Sequence, residues 1–408
     1  MTAPVALYLH VPFCVALCPY CDFVVVPGAA ARGPRNRLAS FVAAIRREIE
    51  LRADALDARL GTDRPPLGSL YLGGGTPSLL PPEAIAGLIG LVRERHGLAP
   101  DAEVTLEANP APDERGDAAA LRAAGVTRLS LGAQSLDGAE LRRLGRRHRP
   151  EDVADAVAAA RAAGIGSIGI DLLYDVPGQT DASWAATLDR ALELGVDHLS
   201  LYALTLDDPD AEGLTGPLGD HLPVRAGARR WRASARAAQD EERAARAYEA
   251  ASERLARAGF RGYEISNWAR PGHESRHNLA YWRRLPHEAA GPGAHGFDGV
   301  TRWWNAAPLE PYLDALAPAS GAPPRLPPGA AAARPAGAAG VAAEAAEAAI
   351  LGLRLDAGLD PAIAAAPPLR DHLAWAEAAG LLERGADARV RLTVRGRLLS
   401  NELFSRLL

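Results

Sequence analysis

Outside residues 14–21 the sequence has no cysteine, and it has no lysine at all. Three thiols so close together cannot frame a disulfide-stapled fold, which needs bridges between distant segments. The 45 basic residues are all arginine; with the heavy use of alanine, this points to genomic base composition rather than to a functional choice. The net charge of −5 and pI near 6.1 exclude a general polyanion binder, whose affinity comes from clustered positive charge; no nucleic-acid partner is expected. The opening MTAPVALYLHVPFC lacks the basic stretch and long apolar core of a signal peptide. No apolar run reaches the roughly 18 residues that cross a bilayer. A cytoplasmic protein is expected, with any membrane contact peripheral.

What is present is ample core material, 48% hydrophobic residues in a chain of 408, enough for two or three units. Six β-prone runs alternate with helical stretches: VALYLHV from Val5, SLYLGG from Ser69, EVTLEAN from Glu103, TRLSLGAQ from Thr127, IGSIGIDLLYDV from Ile165 and DHLSLYAL from Asp197. Strand–helix alternation predicts βαβ units and a parallel sheet. Six units are fewer than a closed eight-fold barrel needs, so the expected architecture is an α/β partial (β/α)6 TIM-like barrel over 1–225. Residues 226–316 are expected to complete it, with one long helix through RASARAAQDEERAARAYEAASERLARAG and a strand in YEISNWA. A Pro/Ala/Gly linker over 317–340 has little to pack with. Residues 341–408, helices around a hairpin, read as a small winged-helix-like domain.

Cys14, Cys18 and Cys21 follow the first strand directly, at the edge where parallel α/β folds bind ligands. Three readings fit the spacing: a zinc site with His10 as fourth ligand, three buried unliganded thiols, or an iron–sulfur cluster held by three thiolates with one iron left open. Cys-x-x-x-Cys-x-x-Cys after a first barrel strand resembles the signature of the radical S-adenosylmethionine family. That resemblance implies a 4Fe–4S cluster on the three cysteines, with S-adenosylmethionine chelating the open iron.

Other motifs agree with it. LYLGGGTPSLL places a glycine run at the end of the second strand, and by resemblance Gly74, Gly75 and Thr76 contact the cofactor's methionyl amino group. Glu107, Gln134 and Asp171 stand at the ends of later strands, with Arg146 just beyond the fourth. Singly each is an ordinary cap or ion pair. Together at one edge they suit a polar ligand, acids taking ribose hydroxyls or an ammonium and arginine a carboxylate. The resemblance to the subfamily related to oxygen-independent coproporphyrinogen oxidase assigns Tyr8, Glu107, Gln134, Arg146 and Asp171 to cofactor contacts and sets Tyr20 beside the adenine.

Two branches share that scaffold: a dehydrogenase that decarboxylates coproporphyrinogen propionates, and the HemW-type haem chaperones. The dehydrogenase pattern carries a further cysteine where this sequence has Phe23, and a long N-terminal extension where only seven residues precede Tyr8. SRHNLAYW contains the His-Asn-x-x-Tyr-Trp pattern of the chaperone branch in His277, Asn278, Tyr281 and Trp282. The resemblance thus implies a haem chaperone with no catalytic residue, binding haem through His277, Tyr281 and Trp282 and passing it to acceptor proteins, with a haem-dependent homodimer among its expected states. His277 is the expected axial ligand and His295 the second candidate, while His10 is expected to support the cysteine loop. A bland alternative for His277 and Tyr281 is an ordinary i, i+4 helix contact.

Overall fold

Alternation with a period of two decides what each strand shows to each side. In the computed structural model, which describes residues 2–31, 36–317, 321–332 and 338–407, the six runs are β1 (Ala6–Val11), β2 (Leu67–Gly74), β3 (Leu98–Ala108), β4 (Arg128–Gln134), β5 (Ser167–Tyr174) and β6 (His198–Ala203). They pair in parallel in chain order. Leu7 and Leu9, Leu70 and Leu72, Leu129 and Leu131, Ile168 and Ile170, Leu199 and Leu201 are buried in one core. The connecting helices α1 (Leu38–Leu60), α2 (Pro82–Arg95), α3 (Ala118–Ala124), α4 (Gly138–Arg143), α5 (Pro150–Ala162) and α6 (Asp181–Glu193) supply its other residues, such as Phe41, Ile45, Leu88, Val153 and Leu188. The intervening strand positions, Tyr71, Glu107, Ser130, Asp171 and Ser200, line a cavity instead. A partial TIM-like barrel with a polar inner face results.

The sheet outgrows the six predicted strands on both sides. β7 (Asn267–Ala269) lies antiparallel to β6, within the predicted strand YEISNWA. On the other side β8 (His287–Ala290) pairs in parallel with β1, followed antiparallel by β9 (His295–Phe297), β10 (Arg302–Asn305) and β11 (Gly329–Ala332). β11 falls inside the expected linker, because a backbone ladder needs no side chain to pack; residues 318–320 and 333–337 of that linker lie outside the described ones. Glu48 of α1, fully buried, ties this added edge down. It accepts from Arg52 Nε at 2.8 Å, Asn305 Nδ2 at 2.7 Å, Tyr312 Oη at 2.8 Å and the Gly291 amide at 2.8 Å, so its buried charge is paired and hydrogen-bonded.

The single long helix expected from Arg232 onward is two, α7 (Ala226–Arg236) and α8 (Glu241–Arg257). Asp240 caps α8 by accepting from the Arg243 amide, while its own amide donates to the Asp175 carboxylate. An aspartate with its side chain on a following amide starts a helix more readily than it continues one. α9 (Arg276–Trp282) begins on the cap Ser275, and α10 is Leu309–Leu316. After α11 (Ala338–Arg354) the C-terminal residues close around a separate core that includes Leu353, Leu373, Val390 and Leu403, with the predicted hairpin at Leu382–Arg384 and Val390–Leu392.

Candidate metal and cofactor site

The cysteine loop leaves β1 through Phe13–Cys14, a two-residue strand paired with Val26–Pro27. Arg232 of α7, 5% exposed, fastens it from behind. Its Nε donates to the Pro19 carbonyl at 3.0 Å, its Nη2 to the Tyr20 and Cys21 carbonyls at 3.1 and 2.9 Å, and its Nη1 to the Asp207 carbonyl. Arg146 Nη1 donates to Cys18 Sγ at 3.5 Å, and Thr76 Oγ1 lies 3.5 Å from Cys14 Sγ. The thiols form no disulfide. Burial pushes Cys14 up to about 11 and raises Cys21 further, each thiolate also opposing the next. Thiols raised like those of Cys14 and Cys21 become thiolate only against strong positive charge, and metal coordination deprotonates a thiol outright.

The donor set therefore fits an iron–sulfur cluster. The zinc alternative needs a fourth protein ligand beside the three thiols, and His10 is its candidate. His10 is spent. Its Nε2–H donates to the Val24 carbonyl at 2.8 Å and its Nδ1 accepts from Tyr8 Oη at 3.0 Å, while burial lowers its pKa to about 4. His10 thus holds Val24, three residues past Cys21, to β1.

A cavity of about 430 Å³ opens on the three cysteines, lined also by Tyr20, Gly74, Gly75, Glu107, Gln134, Arg146 and Asp171. Glu107 accepts from Tyr71 Oη at 2.7 Å and the Gly74 amide at 2.9 Å; burial raises its pKa from 4.5 to about 7. Asp171 is raised as well, chiefly by burial, with Ser200 and Ser130 opposing. Gln134 holds φ 66° at a register shift between β4 and β5, an uncommon backbone for a residue with a side chain. Arg146 donates to the Asn109 and Gly132 oxygens, at 2.5 and 2.6 Å. Its buried Nε–H has no partner among the described residues, so a carboxylate-bearing ligand suits this wall.

Two residues assigned to the cofactor are not brought to this cavity. Thr76 is fully buried behind the cysteine loop, accepting from Asn109 Nδ2 at 2.9 Å. Tyr8 faces a second cavity. The glycine run also has an internal reason. At Gly74, φ 106°, a Cβ would lie 2.4 Å from the His10 ring. Gly74→Ala is expected to cost about 1–3 kcal/mol in chemical denaturation, whereas Gly90→Ala, with nothing within 4 Å of its Cβ, is expected to stabilise by about 0.5–1 kcal/mol.

The second cavity, about 680 Å³, shares Phe23, Tyr71, Glu107, Tyr202 and Asn278 with the first. His277, Tyr281 and Trp282 line it together, with Arg284, Arg302 and Arg354. The Trp282 indole N–H is buried without a partner among the described residues. His277 is placed differently from expectation. It is 1% exposed, its Nδ1 is 3.0 Å from Ser69 Oγ and its Nε2 is 2.8 Å from Tyr281 Oη. Burial lowers its pKa to about 3. Both ring nitrogens are engaged within the protein, one of them in the i, i+4 helix contact to Tyr281. Ser275→Ala, removing the α9 cap, is expected to cost about 1 kcal/mol in urea unfolding and to loosen this wall.

Sequence reasoning missed Arg232, Asn109, Ser130 and Ser200. The serines carried a signal, each standing between apolar neighbours in RLSL and HLSL, where strand alternation turns it inward.

The sequence profile of the radical SAM superfamily matches residues 8–191. The heme chaperone HemW of Mycobacterium tuberculosis is 41% identical over 406 residues, 99% of this chain and 95% of that protein. That of Escherichia coli is 34% identical over 295 residues, 72% of this chain and 70% of the relative. The solved structure of the coproporphyrinogen III oxidase HemN from E. coli superposes with a TM-score of 0.77 at 25% identity, covering all of this chain and 90% of that one. The cysteine loop, the polar inner face and these likenesses agree: the chain belongs to the HemW family of radical SAM proteins.

Proposed function

We propose that this chain is a haem chaperone: it carries a 4Fe–4S cluster on Cys14, Cys18 and Cys21, takes S-adenosylmethionine in the smaller cavity, binds haem in the larger one and delivers it to acceptor proteins. One observation carries the reading. A cavity opening on three thiols shares a wall with a larger cavity lined by Tyr281, Trp282 and three arginines. Bound there, a cluster with one open iron supplies one-electron chemistry to the ligand beside it. In the smaller cavity Arg146 offers its unpartnered Nε–H to a carboxylate, Glu107 and Asp171 accept from hydroxyl or ammonium groups, and Tyr20 packs beside a ring. In the larger one, Trp282 and Tyr281 give a porphyrin apolar faces, and the arginines suit its propionates.

The test is anaerobic reconstitution with iron and sulfide, then haem titration of the full chain. A brown protein with acid-labile sulfide and a saturable Soret band, followed by haem transfer to an apo-acceptor, is expected. Absence of labile sulfide removes the cluster, and absence of the Soret band removes haem. Turnover of coproporphyrinogen III on the order of 1 s⁻¹, ordinary for an enzyme, would replace the chaperone with a radical decarboxylase.

A further inference from the structure

Five histidines line the larger cavity: His10, His221, His277, His287 and His295. A haem ligand must present a free ring nitrogen that stands clear of the wall, because a porphyrin brings its whole face with the iron. His10 and His277 have both nitrogens engaged. His287 donates Nδ1–H to the Leu285 carbonyl at 3.0 Å and keeps Nε2 open. It is only 6% exposed, though, and its ring lies edge-on to Tyr281 at 4.5 Å and 6.1 Å from Phe297.

His221 and His295 differ from these. They flank one carboxylate: His221 Nδ1–H donates to Asp220 Oδ1 at 2.9 Å, and His295 Nε2–H donates to Asp220 Oδ2 at 3.0 Å. Their side chains are 30% and 50% exposed. Asp220 therefore fixes opposite tautomers on its two partners. His295 is left with Nδ1, crowded by its own Cβ, on a ring that stacks on Trp304. His221 is left with Nε2, the unhindered nitrogen, for which the described residues supply no hydrogen-bond partner. A histidine whose other N–H is held by a carboxylate has the arrangement typical of metal-ligating imidazoles, with its tautomer and ring orientation fixed.

The loop that carries the pair is seated. Trp304 Nε1 donates to the Leu218 carbonyl at 3.0 Å, and the Ala307 amide to the Gly219 carbonyl at 2.8 Å. Gly293, φ 71°, leaves room for both Val24 and the Asp220 backbone, where a Cβ would approach to 2.5 and 3.2 Å. The loop is thereby held against the segment that follows the cysteines.

We infer that His221, held through Nδ1–H by Asp220, ligates haem iron through Nε2, and that His277 is a structural residue of the same cavity. This rests on the haem reading above and assigns its ligand.

The test is titration of the full chain with ferric haem, read by visible absorption and electron paramagnetic resonance. In His221→Ala the Soret position and g-values are expected to leave the histidine-ligated pattern, affinity to fall at least tenfold, and excess imidazole to restore the wild-type bands. Asp220→Asn is expected to keep the band positions and weaken binding about 10- to 100-fold, as loss of such a partner does elsewhere. Wild-type spectra in His221→Ala overturn the assignment, and so does a loss of those bands confined to His277→Ala or His287→Ala. Loss in His221→Ala that imidazole does not repair, with unchanged affinity in Asp220→Asn, overturns it too. Absence of any Soret complex in the wild type is a separate result, removing the haem reading itself.

Discussion

Arg232→Ala is expected to strip the reconstituted chain of most of its iron. One guanidinium caps the carbonyls of Pro19, Tyr20, Cys21 and Asp207, so it fixes the path of the segment that sets two of the three thiols. Hydrogen bonds to a charged group contribute about 1.5–3 kcal/mol each, but water would recover part of that for carbonyls on a loop. A net loss of about 3 kcal/mol is the reasonable scale, roughly a hundredfold fall in the population of the ordered loop. With Arg146 beside Cys18, Arg232 also sets positive charge around a site that must hold thiolates. Arg232→Lys should rescue little, because one ammonium cannot span carbonyls that a planar fork reaches together. Iron and acid-labile sulfide per chain check this, beside a thermal melt of the apo protein. Wild-type loading in Arg232→Ala would remove the role.

No pattern near the cysteines announces Arg232. Its partners in the cysteine loop lie more than 200 residues earlier, and in the sequence it is one of 45 arginines. The βαβ rhythm was legible because each strand buries its own alternate leucines, a local property. The edge strands β8 to β11 were not, since they are short and two of them, HEAA and GAAA, have little β character. Tertiary pairing makes them strands. The same distinction divides the site. Cys14, Cys18, Cys21, Glu107 and Asp171 stand at strand ends or inward-facing strand positions and could be placed together from topology. What His277 does depends on Ser69, 208 residues away in the chain, and on whether Tyr281 turns toward it, which helix spacing permits without requiring. His221 was invisible for a further reason: it sits in a stretch of Pro, Gly and Asp that reads as plain loop, and only contact with β9 gives Asp220 its second partner, His295.

Glu107, in the wall common to both cavities, is expected to make the protein's stability and its ligand binding respond to pH in opposite directions. Its folded pKa of about 7 lies above the ordinary 4.5, with burial the main cause and nearby Asp171 adding to it against the Tyr71 and Gly74 hydrogen bonds. Folding therefore favours the protonated form. The stability this group contributes is complete below pH 4.5 and is lost as pH rises through 7, about 2–3 kcal/mol between pH 5 and pH 8. Glu107→Gln cannot ionise and should show no such loss, although one of the two hydrogen bonds suffers when an amide NH2 replaces an acceptor oxygen. The variant is thus expected to be less stable than wild type at pH 5 and to gain on it by about 2–3 kcal/mol at pH 8. Ligand affinity should run the other way. A carboxylate accepts from hydroxyl or ammonium donors more strongly than a neutral acid, so S-adenosylmethionine binding to the reconstituted wild type should tighten as pH rises through about 7. In Glu107→Gln it should be flat with pH and at least tenfold weaker at pH 8. Urea unfolding of the apo chain and equilibrium binding to the reconstituted one, each at pH 5 and 8, measure the two trends. Parallel pH profiles for wild type and variant in both would mean that this carboxyl is not the titrating group, and the wall between the cavities would lose its proton.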